Sequence, residues 1–116
     1  MPVLPNIDEA VVETAKISDY LLSESHPQGS TKAQYFMRFG FDASRPEEFQ
    51  AAIMLHAKHN EVTASERNRF GVKHVIEGPL ETPDGRNPVV RSIWFIAENE
   101  AAPRLVTVVP IGSGRQ

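Results

Sequence analysis

An α+β domain, about three helices in the first half packed on an antiparallel sheet of three or four strands from the second, is the fold class this sequence predicts. Three observations predict it. Apolar residues recur at helical spacing up to His56, β-branched runs separated by turn residues dominate from Val72 onward, and every connection is short enough to favour neighbouring antiparallel strands over crossover units. With 116 residues there is room for one hydrophobic core, so one domain spanning 1–116 is expected. Its ends at 1–9 and 112–116 are poor in core-forming residues and are expected to be mobile unless they dock.

The elements follow in order. Ile17 to Leu22, with Ser18 or Asp19 as N-cap, predicts a brief first helix. His26-Pro27-Gln28-Gly29 breaks it, because Pro27 disfavours helical geometry in its predecessor and Gly29 permits a turn. A second helix starts at Ser30 or Thr31 and carries Lys32, Tyr35, Phe36 and Phe39 to a C-terminal Gly40. Ser44-Arg45-Pro46-Glu47 has the form of a capping box with proline in the first turn and opens a third helix. Phe49, Ala52, Ile53 and His56 are its buried stripe, flanked by Met54 and Leu55, and Asn60 its end. The polar run Glu61 to Arg69 reads as a loop or frayed helical end. Val72–Ile76 and Val89–Ile96 form a hairpin about the turn Pro83-Asp84-Gly85-Arg86. Apolar groups on both faces of the second of these strands make it central. Ala97 to Pro103 turns, and Leu105–Val109 is the last strand, closed by Pro110.

Several chemistries are closed by composition. The sequence has no cysteine, so disulfides, thiolate metal sites and a cysteine nucleophile are excluded. No basic segment followed by an apolar run opens the chain, and no apolar stretch is long enough to cross a bilayer. A cytoplasmic protein, or an effector delivered by a dedicated machine, is therefore expected, with no membrane partner. A net charge of −3 argues against a protein whose main task is gripping long nucleic acid. Cations can still be concentrated locally, and Lys73, Arg86, Arg91 and Arg104 all fall in the sheet half. His56 and His59 lie three apart on a helix without an evident third ligand, so neither metal nor cofactor is expected.

The remaining candidates are polar residues at positions that do not need them. His26 and Lys32 flank the turn that opens the second helix, and Lys32 stands in a first turn, where a cation is disfavoured unless it holds an anion beside free backbone amides. Arg91 alternates with Ile93 and Phe95 on one face of a strand. Thr107 lies in the last strand, and His74 and Arg104 are available to touch a substrate. Metal-free RNA cleavage by 2′-hydroxyl attack needs a base, an acid and cations for the crowded phosphorane. His26 serves as base or acid, Lys32 and Arg91 neutralise charge, and Thr107 offers a hydroxyl to a phosphate oxygen. Any anion-binding site wants the same groups, so each has a plain structural reading as well: solvated loop residues for His26 and Lys32, an arginine with its stem on the core, a β-forming threonine, a packed histidine.

Leu21-Leu22, His26-Pro27-Gln28-Gly29 and Lys32-Ala33 with Phe36 resemble the opening of a widespread bacterial family of unknown function. Phe70-Gly71, Pro83-Asp84-Gly85-Arg86, Arg91-Ser92-Ile93-Trp94 and Pro103-Arg104-Leu105-Val106-Thr107 are also similar to it, so the likeness runs from about Leu4 to Pro110. At fold level the pattern looks like the ribonucleases barnase, EndoU, the tRNA-cleaving colicins and RelE. That likeness implies a small toxin-type ribonuclease with an RNA substrate and a cognate immunity or antitoxin protein. The acidic balance departs from a typical toxin. It leaves a second expectation beside the first, a non-catalytic interaction module of the immunity or antitoxin kind, or a member that kept its fold and lost activity.

Overall fold

The computed structural model describes residues 3–13, 35–42 and 44–111. Its frame is a four-stranded antiparallel sheet in the order β1 (Val62–Asn68), β2 (Gly71–Pro79), β3 (Val89–Ala97), β4 (Arg104–Pro110). Among the described residues, helix α1 (Pro46–His59) lies on one face, and a 3₁₀ turn spans Ile7–Glu9. The expectation of about three N-terminal helices is corrected: among the described residues the one long helix sits in mid-chain, and the rest of the helical structure is the short 3₁₀ turn and residues 35–37. The predicted helix at Ile17–Leu22 lies outside the described residues, as does the start of the next, of which 35–37 is helical.

Helix α1 forms where the sequence places it, and its stripe buries Phe49, Ala52, Ile53, His56 and Ala57. Its cap differs from expectation. Arg45 occupies the N-cap without a side-chain bond, and Ser44 gives both its backbone N–H and its hydroxyl to Asp42 Oδ1, each at 2.9 Å. A carboxylate two residues upstream outcompetes the box, because it is the stronger acceptor and closes a local turn. At the other end Asn60 donates to His56 O at 2.9 Å and lies against Gly78, where a side chain of any size would collide with it.

The polar run Glu61 to Arg69, expected as a loop or frayed helical end, is corrected: its residues Val62–Asn68 are strand β1. It pairs with β2 from Val62↔Ile76 to Asn68↔Gly71, and Thr63 to Asn68 are all exposed. An edge strand with water around it has no apolar alternation to betray it, and its charges protect the free edge from further pairing. The central place of β3 follows expectation, and its core side contributes Val90, Ser92 and Trp94. Together with Ile76, Leu80, Leu105 and Val108 these close over α1. Leu4 and Val12 join the same core, and Val11 bridges in parallel to Arg104, along the outer edge of β4.

The hairpin tip is fastened to the turn after residues 35–37. Arg86 donates to Asp84 Oδ2 at 2.6 Å and to Arg38 O at 2.7 Å, with its guanidinium 4.5 Å above the Phe39 ring. Gly40 takes a φ of 104°, and a Cβ there would come within 2.8 Å of Pro83 Cβ. Arg86→Ala is expected to cost about 1 kcal/mol, the scale of an exposed charged hydrogen bond with a cation–π contact. Thermal unfolding of the variant checks this, and an unchanged midpoint would show that the tip is held by other contacts.

Candidate functional site

The sheet has two chemically distinct faces. Toward α1, Trp94 Nε1–H donates to Ser92 Oγ at 2.9 Å, which leaves the Ser92 hydroxyl proton for His56 Nδ1 at 3.0 Å. His56 therefore carries its proton on Nε2, which donates to Gly78 O at 3.1 Å. Both ring nitrogens are engaged, so His56 is a core histidine, and burial lowers its pKa below 6.5 as the largest influence. His74 is also on this side, opposite Trp94, with Ser65 Oγ 2.7 Å from its Nδ1.

A linkage prediction arises from His56. The unfolded chain takes up a proton as pH falls through about 6.5, while the folded ring resists until lower pH. Stability is thus fully present above about 6.5 and declines as pH falls below it, with His74 shifted in the same direction by burial. Denaturant unfolding measured between pH 7 and pH 5 checks this. His56→Gln is expected to flatten the slope while lowering stability throughout.

The opposite face is where the candidate groups gather. Alternation from Ile76 and Ser92 puts Lys73, Val75 and Glu77 of β2 and Arg91, Ile93 and Phe95 of β3 on it. Arg91 and Glu77 are direct cross-strand partners, and the guanidinium reaches one carboxylate oxygen twice, Nε and Nη2 each 2.7 Å from Oε2. Among the described residues Glu77 Oε1 has no hydrogen-bond partner. Lys73 pairs with Glu66 of β1 at 3.2 Å.

Thr107 arrives by a device that strict alternation misses. The β3–β4 register runs Ile93↔Thr107 and then Trp94↔Leu105, so Val106 is an extra residue bulged out of β4. Leu105 and Val108 both point into the core as a result, and Thr107 turns to the face of Arg91. Because Val109 is opposite Arg91, Thr107 and Arg91 are diagonal neighbours, about 7–8 Å apart. Thr107 has interactions of its own within the chain.

Of the six residues singled out from the sequence, the structure brings together Arg91 and Thr107. Arg104 is opposite Phe95, farther along the same face, where Glu13 and Glu100 hold it at 3.2 and 3.3 Å. His74 occupies the helix side of the sheet. His26 and Lys32 lie outside the described residues. Glu77 was missed; its signal is register, since a hairpin closing at Pro79↔Val89 necessarily sets residue 77 against 91. Among the described residues no cluster of three or more metal-ligating side chains occurs, and no helix is long and apolar enough to cross a membrane.

A family model described as a domain of unknown function, DUF6883, matches residues 3–112. The chain belongs to the DUF6883 family. The assignment agrees in kind with the motif resemblance to a bacterial family without known function. No curated protein matches the DUF6883 chain. A solved structure of a contact-dependent growth inhibition toxin–immunity protein complex from Klebsiella pneumoniae 342 contains a chain similar to this DUF6883 domain. The two superpose with a TM-score of 0.67 at 17% identity, over 87% of this chain and 99% of that one. At that identity the likeness is one of fold.

Proposed function

We infer that the domain is a toxin-type ribonuclease that cleaves RNA without a metal, with Arg91, Glu77 and Thr107 at the centre of its site. The observation that carries this reading is the convergence of Arg91 and Thr107 on one half-exposed sheet face beside a carboxylate anchored through a single oxygen. In the reaction the 2′-hydroxyl oxygen bonds to phosphorus as the bond to the 5′ oxygen breaks, leaving a 2′,3′-cyclic phosphate and a 5′-hydroxyl. The 2′ proton passes to Glu77 Oε1, which Arg91 orients by gripping Oε2. The remaining guanidinium N–H groups of Arg91 face the phosphorane oxygens, and Thr107 sets a hydroxyl beside them. His26 supplies the proton to the departing oxygen, and Lys32 is a second cation. The toxin–immunity neighbour supports the reading by fold, and a cognate immunity protein covering this face follows from it.

Incubation of the purified protein with total tRNA in EDTA tests the proposal. Discrete fragments ending in cyclic phosphate are expected, whereas intact RNA over a wide range of protein concentration would remove it.

A second reading rests on charge. Lys73, Arg91 and Arg104 are each paired with carboxylates and the chain is net acidic. That balance suits an immunity-like module that binds a basic partner. Stoichiometric binding to a basic toxin domain, together with failure to cut RNA, would favour it.

A further inference from the structure

The face that carries Arg91 is indented. A hollow of about 420 Å³ has Ala64, Val75 and Ile93 along its lining, with Arg91 and Glu77 at one end and Lys73 at the other. A second hollow of about 320 Å³ adjoins it past Lys73, toward Ser65 and Glu66. The larger volume falls within the span of small-ligand sites. Its composition is an aliphatic floor with a cation at each end, Arg91 paired with Glu77 and Lys73 with Glu66, which suits a flat apolar ring whose flanking anionic groups reach the N–H donors that these pairs leave over.

We propose that this larger hollow is a subsite for one unpaired nucleotide, its base on the Ala64, Val75 and Ile93 floor, with Arg91 and Lys73 holding the phosphates that flank it. The proposal rests on the nuclease reading of the same face and deepens it by naming the substrate class as single-stranded RNA. Lys73 and Glu77 are four residues apart on β2, about 13 Å along the strand, and Arg91 is opposite Glu77, so the cations bracket the floor. The Lys73–Glu66 pair is exposed and weak, so a phosphate replaces the carboxylate at little cost. A base in a duplex is stacked and paired and does not reach such a floor; an unpaired base does. Phe95, directly opposite Lys73 in register, offers a ring to the next base.

The test uses the whole chain and a fully 2′-O-methylated RNA, which cannot be cleaved, as a single strand and as the matching duplex, read by fluorescence anisotropy at several salt concentrations. The single strand is expected to bind about tenfold or more tighter than the duplex. Lys73→Ala is expected to weaken single-strand binding several-fold and to reduce the salt slope by about one. Ile93→Asp is expected to abolish the preference for single strands. Equal binding of the two forms by the wild-type chain, or unchanged binding in both variants, overturns the subsite. Should Ile93→Asp fail to fold, amide NMR of the wild-type chain titrated with a nucleoside monophosphate decides: shifts centred on Ala64, Val75 and Ile93 support it, and shifts confined elsewhere overturn it. Cleavage of RNA without strand preference removes this subsite and leaves the nuclease reading standing. No binding of either RNA form, with no cleavage, removes both.

Discussion

Trp94→Ala is expected to lower the stability of the domain by about 3–5 kcal/mol, the range for emptying a large aromatic site in a packed core. Trp94 is fully buried in the centre of the sheet, so its neighbours cannot close over the space without moving strands that are paired on both sides. The truncation also removes the indole N–H from Ser92 and frees that hydroxyl to rotate away from His56. For a domain whose total stability is of the usual order, about 5–15 kcal/mol, this approaches global unfolding. Urea unfolding by circular dichroism measures it. Trp94→Phe separates the two contributions, since it keeps most of the apolar volume and loses only the donor. A cost below about 1 kcal/mol for Trp94→Ala would mean that Trp94 is not the keystone its burial implies.

Arg91→Ala carries the largest expected effect on activity. Under the proposed mechanism it removes both the anchor of Glu77 and the cation facing the phosphorane, and a fall of about 10²- to 10³-fold in cleavage rate is expected from loss of one such preorganised donor. Stability is expected to change little, because the Arg91–Glu77 pair is more than a third exposed and such pairs contribute weakly. Arg91→Lys is expected to recover only part of the rate, a point charge being a poor substitute for two aligned N–H donors. Initial rates on total tRNA in EDTA, with matched thermal midpoints, are the measurement. Equal rates for wild type and Arg91→Ala would end the assignment of this face as the cleavage site.

The parts of the molecule visible in the sequence are those where burial writes a period into the chain. Helix α1 announces itself through Phe49, Ala52, Ile53 and His56, and β3 through apolar residues on both faces, because each packs against something. Strand β1 was hidden since its pairing is made by backbone groups, which leave no trace in side-chain choice, while its exposed side chains are as polar as any loop. The capping box misled for a different reason: Ser44 had two ways to satisfy its hydroxyl, and the sequence pattern ranks only one of them. At the site, Arg91 was legible as a cation out of place in an apolar strand. Glu77 became visible only once the hairpin register was set, and the face of Thr107 only once the extra residue in β4 was known.

That extra residue makes chain length negotiable at one point. Removing Val106 would leave Leu105 and Val108 inside and Thr107 outside, since a regular strand through the remaining residues obeys the same order of faces. A deletion within β3, which is hydrogen-bonded to a neighbour on each side, has no such slack and would turn every side chain beyond it inside out. Relatives that differ in length here can therefore keep the chemistry of the wet face intact, while the central strand must be inherited residue for residue in number, if not in kind.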